Sequence, residues 1–302
     1  MAKKKKASVK SEYKQREKEF VVITKYPKDY KIVDIRSMKP RCYIDSKDMD
    51  KCMVLQELDE VQFDTKISGE KNILSYYTPN NVGILLSIAN KSLERAKKIY
   101  DENINPDKHN HILKYSNGSE EIKNKSVIVY DFIEAIQTSI VFGYTAIEAF
   151  TNLSINPEYK YESDVSNKGT IEIYGKEAIE RWLPLSIKVS NILVDIYKCK
   201  RIENEKIWTR FKEFEKYRNE IIHQKSIDST NFYKKYFKKN IFEVCTVPEK
   251  IIKFFFEERG DKTSTNILWP WIINESNDFP VSHNFKSEHF EVTGNIFEGK
   301  NI

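Results

Sequence analysis

Apolar side chains recur at helical spacing through most of the chain and at strand spacing near its start. Steps of three and four residues predict helices over about 82–101, 126–153, 185–198, 205–225, 229–239 and 248–259. Short runs rich in Val, Ile and Tyr, interrupted by Pro27 and Pro40, predict strands at 19–26, 30–35 and 53–63. We therefore expect a mainly α protein with a small mixed or β-rich lobe near its N-terminus.

These patterns divide the chain into four parts: a basic tail at 1–18, a small β-rich lobe at 19–78, a helical bundle at 82–259 and a loop-rich C-terminal segment at 260–302. With 302 residues and 40% hydrophobic content, the chain is long enough to bury a full core. Trp269 and Trp271 in the last part can stack on nucleic-acid bases or pack against the bundle, and we expect packing.

Positive charge is concentrated in the first eighteen residues. Eight basic side chains there are opposed only by Glu12 and Glu17, so the tail has a net charge of +6. Since the net charge of the whole chain is +5, the remainder is nearly neutral. The tail is therefore either a solvated, disordered extension or a non-specific, salt-dependent contribution to RNA affinity.

The polar residues argue against several classes of protein. The four cysteines form no Cys-x-x-Cys pair and the five histidines are scattered, so we expect no metal site. His109-Asn110-His111 is interpreted as a loop. Because the chain has no glycine-rich strand-to-helix turn, we also expect no ATP, dinucleotide or other cofactor.

One apolar stretch, from Ser126 to Ile155, is long enough to raise the question of a membrane span. It contains Asp131, Glu134 and Glu148, so a buried bundle helix is the better interpretation, and we expect no membrane association. The start of the sequence does not resemble a signal peptide, and few, unpaired cysteines fit a reducing compartment. These features predict a cytoplasmic protein.

The helix predicted over 205–225 carries an arginine within its apolar stripe. Arg218 falls near the middle of the face formed by Ile207, Phe211, Phe214, Ile221 and Ile222. Burying an unpaired guanidinium costs several kcal/mol, so Arg218 needs a carboxylate partner or an anionic ligand. The alternative is that its aliphatic stem packs and its charge reaches solvent.

Asn219 and His223 lie near the end of the same helix. They project about 100° and 140° around the helix from Arg218, which places them at an edge of the buried face. The helix dipole favours a charged imidazole there by about 0.3–1 kcal/mol. Arginine, asparagine and a titratable imidazole can together bind and process a phosphodiester. For His223 the alternative is a solvated helix cap.

A narrow polar seam crosses the apolar helix predicted over 126–153. Its members recur at steps of four and three residues: Glu134, Thr138, Val141, Thr145, Glu148 and Asn152. Such a seam either packs against something polar or is a solvated stripe. On the first interpretation, Glu148 pairs with Arg218, orients the guanidinium and leaves some of its donors for a phosphate.

Two segments carry a resemblance to a known family. Arg218-Asn219-Glu220-Ile221-Ile222-His223 has an arginine, a polar residue and a histidine at short spacing, and Ala146 to Asn152 is a helical stretch containing a glutamate. Both resemble the HEPN domains (higher eukaryotes and prokaryotes nucleotide-binding), many of which are ribonucleases. The likeness covers roughly residues 82–259, including connecting helices near 176–188, and implies an antiparallel helical bundle.

In that family the active site forms where the motif helices of two protomers meet, so the resemblance implies a homodimer. It also implies metal-independent RNA cleavage, in which the ribose 2′-hydroxyl attacks the adjacent phosphorus and leaves cyclic phosphate and 5′-hydroxyl ends. By position, His223 would exchange protons, Arg218 would stabilise transition-state charge, and Asn219 would position a phosphate oxygen or the imidazole. Glu148 and Asn152 would support them.

The parts outside the bundle are expected to regulate it. By resemblance, such extended proteins often act as growth-arrest effectors in toxin–antitoxin or antiphage systems, with an antitoxin or trigger protein as partner. A competing hypothesis is a catalytically silent HEPN-like bundle that binds RNA, a nucleotide or a protein, with Arg218 and Glu148 as a structural ion pair. A third places the chemistry in the N-terminal lobe, which has no histidine and no recognisable motif.

Overall fold

The fold is described from a computed structural model of the chain. The structure describes residues 19–24, 34–45, 52–63, 72–112, 118–163, 171–223, 231–260, 269–271 and 281–285. The predicted basic tail and most of the strand predicted at 30–35 lie outside these ranges. Within them the protein is mainly helical, as predicted, with one larger sheet and one short hairpin.

The larger sheet is organised around one long strand, β3 (Cys52–Phe63). It pairs antiparallel with β1 (Glu19–Thr24), β2 (Arg41–Asp45) and β4 (Asn72–Tyr77). β2 also pairs, in parallel, with β7 (Val281–Phe285). The predicted strands at 19–26 and 53–63 are confirmed, whereas β2, β4 and β7 were not predicted.

The helices follow the predicted order, except that the described part of the helix predicted over 229–239 is a 3₁₀ segment and that a short helix at Ile241–Cys245 was not predicted. α1 is Asn81–Ile99, α2 is Ser119–Ser154, and α3 (Lys176–Trp182) follows a short hairpin of β5 (Lys160–Glu162) and β6 (Ile173–Gly175). The rest comprises α4 (Leu185–Ile187), α5 (Leu193–Tyr197), α6 (Lys206–Ile222), α7 (Ile241–Cys245) and α8 (Val247–Glu258). π-helical turns at Tyr100–Ile104 and Lys188–Ile192 and a 3₁₀ segment at Asn231–Phe237 interrupt the α-helical pattern.

Helix α1 begins where its sequence contains a cap. The Asn80 side chain accepts a hydrogen bond from the Gly83 backbone N–H at 3.1 Å, which satisfies one of the free amide groups of the first turn. Helix α2 begins at Ser119, earlier than the predicted residue 126. The prediction missed its first turns because they are polar, with Glu120 and Glu121, and show no apolar periodicity.

Helix α2 lies at the centre of the core. Phe132, Ile136, Ile140, Ile147 and Phe150 are all fully buried, and the helix packs against α1, α6 and α8. By length and composition alone it is also long and apolar enough to cross a membrane, a criterion that the core helix of a bundle meets as well. One face of the helix is buried in the core, and 33% of its most apolar stretch is buried.

The C-terminal segment contributes to the core and to the sheet. The ring of Trp269 lies 5.0–5.3 Å, centroid to centroid, from those of Phe150, Tyr197 and Phe256. The Trp271 indole N–H donates to Ser37 Oγ at 3.3 Å. The expected packing role of both tryptophans is therefore confirmed, but the prediction of a loop-rich segment misses β7.

Candidate active site

Helix α6 presents its candidate residues at its C-terminal end. The buried face runs through Phe211, Phe214 and Tyr217, with Ile221 partly buried behind them. Ile222 is 49% exposed, so the prediction that it belongs to the apolar face is wrong. The contact surface follows the three- and four-residue steps from Phe214 to Ile221, and Ile222 projects about 100° away from Ile221.

Arg218 is half-buried and rests on an aromatic ring of α2. Its guanidinium carbon lies 4.5 Å from the centre of the Tyr144 ring, and its Nη1 donates to Asn219 Oδ1 at 3.1 Å. Among the described residues, no carboxylate oxygen lies within 4.0 Å of the guanidinium. The predicted ion pair with Glu148 is therefore not formed, because Tyr144, one turn earlier on α2, takes the contact.

Tyr144 links the acidic groups of this region. The pKa of the Tyr144 phenol is raised to about 12, mainly by burial; Glu215 and Glu148 contribute to this rise, and Arg218 opposes it. Glu215 is itself buried on α6 and accepts a hydrogen bond from Lys212. The two carboxylates and Arg218 thus act on one phenol, that of a residue which the sequence patterns did not single out.

Glu148 and Asn152 continue the same face of α2 toward a buried lysine. Lys188 is only 1% exposed, and its Nζ donates to Asn152 Oδ1 at 3.1 Å and to the Glu180 carbonyl at 2.9 Å. Burial lowers the pKa of Lys188, while Glu148 and Glu180 oppose that shift. Glu148 lies along α2 between Tyr144, on which Arg218 rests, and Asn152, which binds Lys188. Among the described residues it forms no ion pair within 4.0 Å with either cation.

His223 caps the C-terminus of α6. Its backbone N–H donates to the Asn219 carbonyl at 2.9 Å, and its imidazole is exposed. Within the described part of the chain, no hydrogen bond or ion pair involves the imidazole. The structure thus brings Arg218 and Asn219 into contact and places His223 one turn beyond Asn219 at the same end of the helix.

The remaining members of the polar seam are more exposed than predicted. Glu134 pairs at 3.1 Å with Arg95 of α1 and is largely solvated. Thr145 is exposed and donates to the Val141 carbonyl of its own helix at 2.9 Å. At these positions the seam is a solvated stripe, and only its end at Glu148 and Asn152 packs against polar groups.

Other candidate chemistry lies elsewhere. His109 and His111 occupy a loop, as predicted, and their Nε2 atoms donate to the backbone carbonyls of Asp101 and Ile104. A mostly apolar cavity of about 220 Å³ lies against the first turns of α2, at Lys125 to Val129. Tyr144 is about 24 Å further along that helix. No group of three or more His, Cys, Asp or Glu in the described ranges is placed to hold a metal ion.

No protein-family model, no curated protein and no solved structure matches this chain.

Proposed function

We propose that the protein is a metal-independent, HEPN-type endoribonuclease whose Arg218, Asn219 and His223 act on an RNA phosphodiester. One observation carries the proposal. The Arg218 guanidinium is held half-exposed on the Tyr144 ring, uses one donor on Asn219 and has no carboxylate partner among the described residues. Its other N–H donors are available to a phosphate, which a planar guanidinium binds well.

The chemistry follows from these groups. The ribose 2′-oxygen bonds to phosphorus, the bond from phosphorus to the 5′-oxygen breaks, and a proton moves from the first oxygen to the second. A histidine transfers protons near neutral pH and typically contributes about 10²–10⁴-fold. Arg218 stabilises the negative charge on the phosphorane, and Asn219 orients the guanidinium to which it is bonded. Because one His223 cannot occupy both sides of the reaction, a second copy in a homodimer supplies the other imidazole.

The proposed cellular role rests on the family resemblance. It is that of a cytoplasmic growth-arrest effector in a toxin–antitoxin or antiphage system. In that role the sheet around β3 and the C-terminal segment are the regulatory parts, and an antitoxin or trigger protein is the partner. The buried contacts of Trp269 and Trp271 tie these parts to the bundle and support a regulatory route between them.

A second candidate is a silent HEPN-like module that binds RNA, a nucleotide or a protein. It is favoured by the same contacts of Arg218, interpreted as structural contacts. Arg218 already contacts Tyr144 and Asn219, as in a structural role, and the described residues include no group that orients the His223 imidazole. This candidate retains Arg218 for stability and gives His223 no function.

The deciding experiment is incubation of purified variants with total RNA in excess chelator, with analysis of fragment ends. Arg218→Ala, Arg218→Lys and His223→Ala should each abolish most cleavage, since lysine keeps the charge but not the planar fork. Arg210→Ala is the matched arginine control, because Arg210 lies on the same helix and pairs at 3.1 Å with Glu213. His109→Ala is the matched histidine control.

The ribonuclease is supported if the wild type and both controls cleave RNA and leave cyclic phosphate ends, while the Arg218 and His223 variants lose most cleavage. Equal cleavage by every variant shows that Arg218 and His223 are not the site. No cleavage by any protein, even after addition of a cell lysate that supplies a trigger, favours the silent module. Circular dichroism of each variant separates loss of activity from loss of fold.

A further inference from the structure

Trp182 is the last residue of α3 and one of the most exposed large side chains of the described structure. It is 67% exposed, although an indole carries a large apolar surface that folding normally covers. The adjacent small core of Ile155, Ile179 and Ile192 takes in Leu183 at its edge and leaves Trp182 outside. The chain turns here because Pro184 disfavours a helical conformation at Leu183.

A cation accompanies this exposed ring. The Arg181 guanidinium carbon lies 5.0 Å from the centre of the Trp182 ring, and no described carboxylate lies within 4.0 Å of that guanidinium. Glu180, the nearest acid in sequence, pairs instead with Lys176 at 3.8 Å. A guanidinium beside an indole provides a stacking surface and an uncompensated positive charge together.

Hydrogen bonds connect the end of α3 with the helix that forms part of the candidate active site. The buried Lys188 ammonium joins the Glu180 carbonyl, two residues before Trp182, to Asn152 of α2. Asn152 is two turns, or about 12 Å, along α2 from Tyr144, on which Arg218 rests. Arg181 and Trp182 are thus linked to the helix that carries Tyr144 through Lys188 and Asn152.

We propose that Arg181 and Trp182 form a base-stacking subsite for single-stranded RNA, an inference that rests on the proposed ribonuclease function. The indole stacks on an unpaired base, and Arg181 interacts with the adjacent phosphate. Bases in a duplex are already stacked on each other and cannot use this surface, so the subsite selects single strands. Stacking of this kind tolerates any base, so the subsite adds affinity without sequence specificity.

The test measures binding separately from cleavage. A fluorescent, single-stranded 2′-fluoro oligonucleotide lacks the attacking hydroxyl, so its anisotropy reports affinity even with active protein. Trp182→Ala should weaken binding about 5- to 150-fold, the range expected for loss of one stacked base. Trp182→Phe should retain most of the affinity. The matched control is Tyr130→Ala, since Tyr130 is also exposed, at 66%, but lies far along α2.

A duplex of the same sequence should bind Trp182→Ala and wild type equally. An unchanged single-strand affinity, an equal loss for both nucleic acids, or no binding of the single strand by wild type would each overturn the subsite. So would a change in oligomeric state of Trp182→Ala without a change in RNA affinity, which assigns the patch to a protein contact.

The two proposals fail separately. If Arg218→Ala abolishes cleavage while Trp182→Ala leaves KM unchanged, the ribonuclease stands and the subsite does not. If single-strand binding depends on Trp182 but no RNA is cleaved, the subsite stands and the ribonuclease does not. If both hold, Trp182→Ala should raise KM on long RNA and leave kcat nearly unchanged, since stacking away from the reacting phosphate acts on binding.

Discussion

Replacing Trp269 with alanine removes the anchor of the C-terminal segment. Trp269 is 3% exposed and lies among the rings of Phe150, Tyr197 and Phe256. A buried aromatic side chain covers about 150–250 Å². At about 25 cal/mol per Å², its removal costs roughly 4–6 kcal/mol.

A buried hydrogen-bond donor on Trp269 itself reduces that loss. Among the described residues the Trp269 indole N–H has no hydrogen-bond partner, and a buried unsatisfied donor costs about 1–3 kcal/mol. Trp269→Ala removes this penalty, so the net loss in free energy of unfolding should be about 1–5 kcal/mol. Trp269→Phe, which removes the donor but keeps a ring, should lose clearly less.

The assay is urea unfolding followed by far-ultraviolet circular dichroism, because the substitutions themselves change tryptophan fluorescence. Trp182→Ala is the matched control, since it deletes the same side chain from an exposed position and should change stability by less than about 0.5 kcal/mol. A loss below about 1 kcal/mol for Trp269→Ala, or equal losses for the two alanine variants, would refute the anchoring role.

Two further predictions concern the elements around the candidate site. Burial lowers the pKa of Lys188 below 10.5, so in the alkaline range up to 10.5 the unfolded chain binds more protons and stability rises with pH. Lys188→Met should lack this rise. The unfolding free energy of the wild type, relative to that of the variant, should therefore increase with pH. A β-carbon at Gly143 would lie 2.6 Å from Pro248 Cγ, so Gly143→Val should lose about 1–3 kcal/mol by urea unfolding. Gly175→Val, at a position with open space around it, should lose less.

Much of the helical part was predictable because its signals are local. The Asn80 cap fixes the start of α1, and the spacing from Phe211 to Ile221 defines α6 within a few residues. Strand β7 was not predictable in the same way, since its partner β2 lies near the other end of the sequence. Strand β4 was missed because Ile73, Leu74 and neighbouring apolar residues are exposed and follow no clean alternation between buried and solvated positions.

The contacts of the candidate residues were not predicted from the sequence. The position of Arg218 within an apolar stripe indicated a carboxylate partner or an anionic ligand. The partner is the ring of Tyr144, and periodicity treats an aromatic residue only as apolar. Lys188 was not predicted to be part of the site, because a lysine is normally assumed to lie on the surface and only the structure shows its burial.

The parallel pairing of β2 with β7 has a consequence for how the protein is made. Cys42 lies beside Val281, so one edge of the sheet stays open while the ribosome synthesises almost all of the intervening chain. Contacts of such long range close late in folding, and an open strand edge is a site for mispairing in the meantime. The β2 edge of the sheet is therefore completed only after β7 has been synthesised.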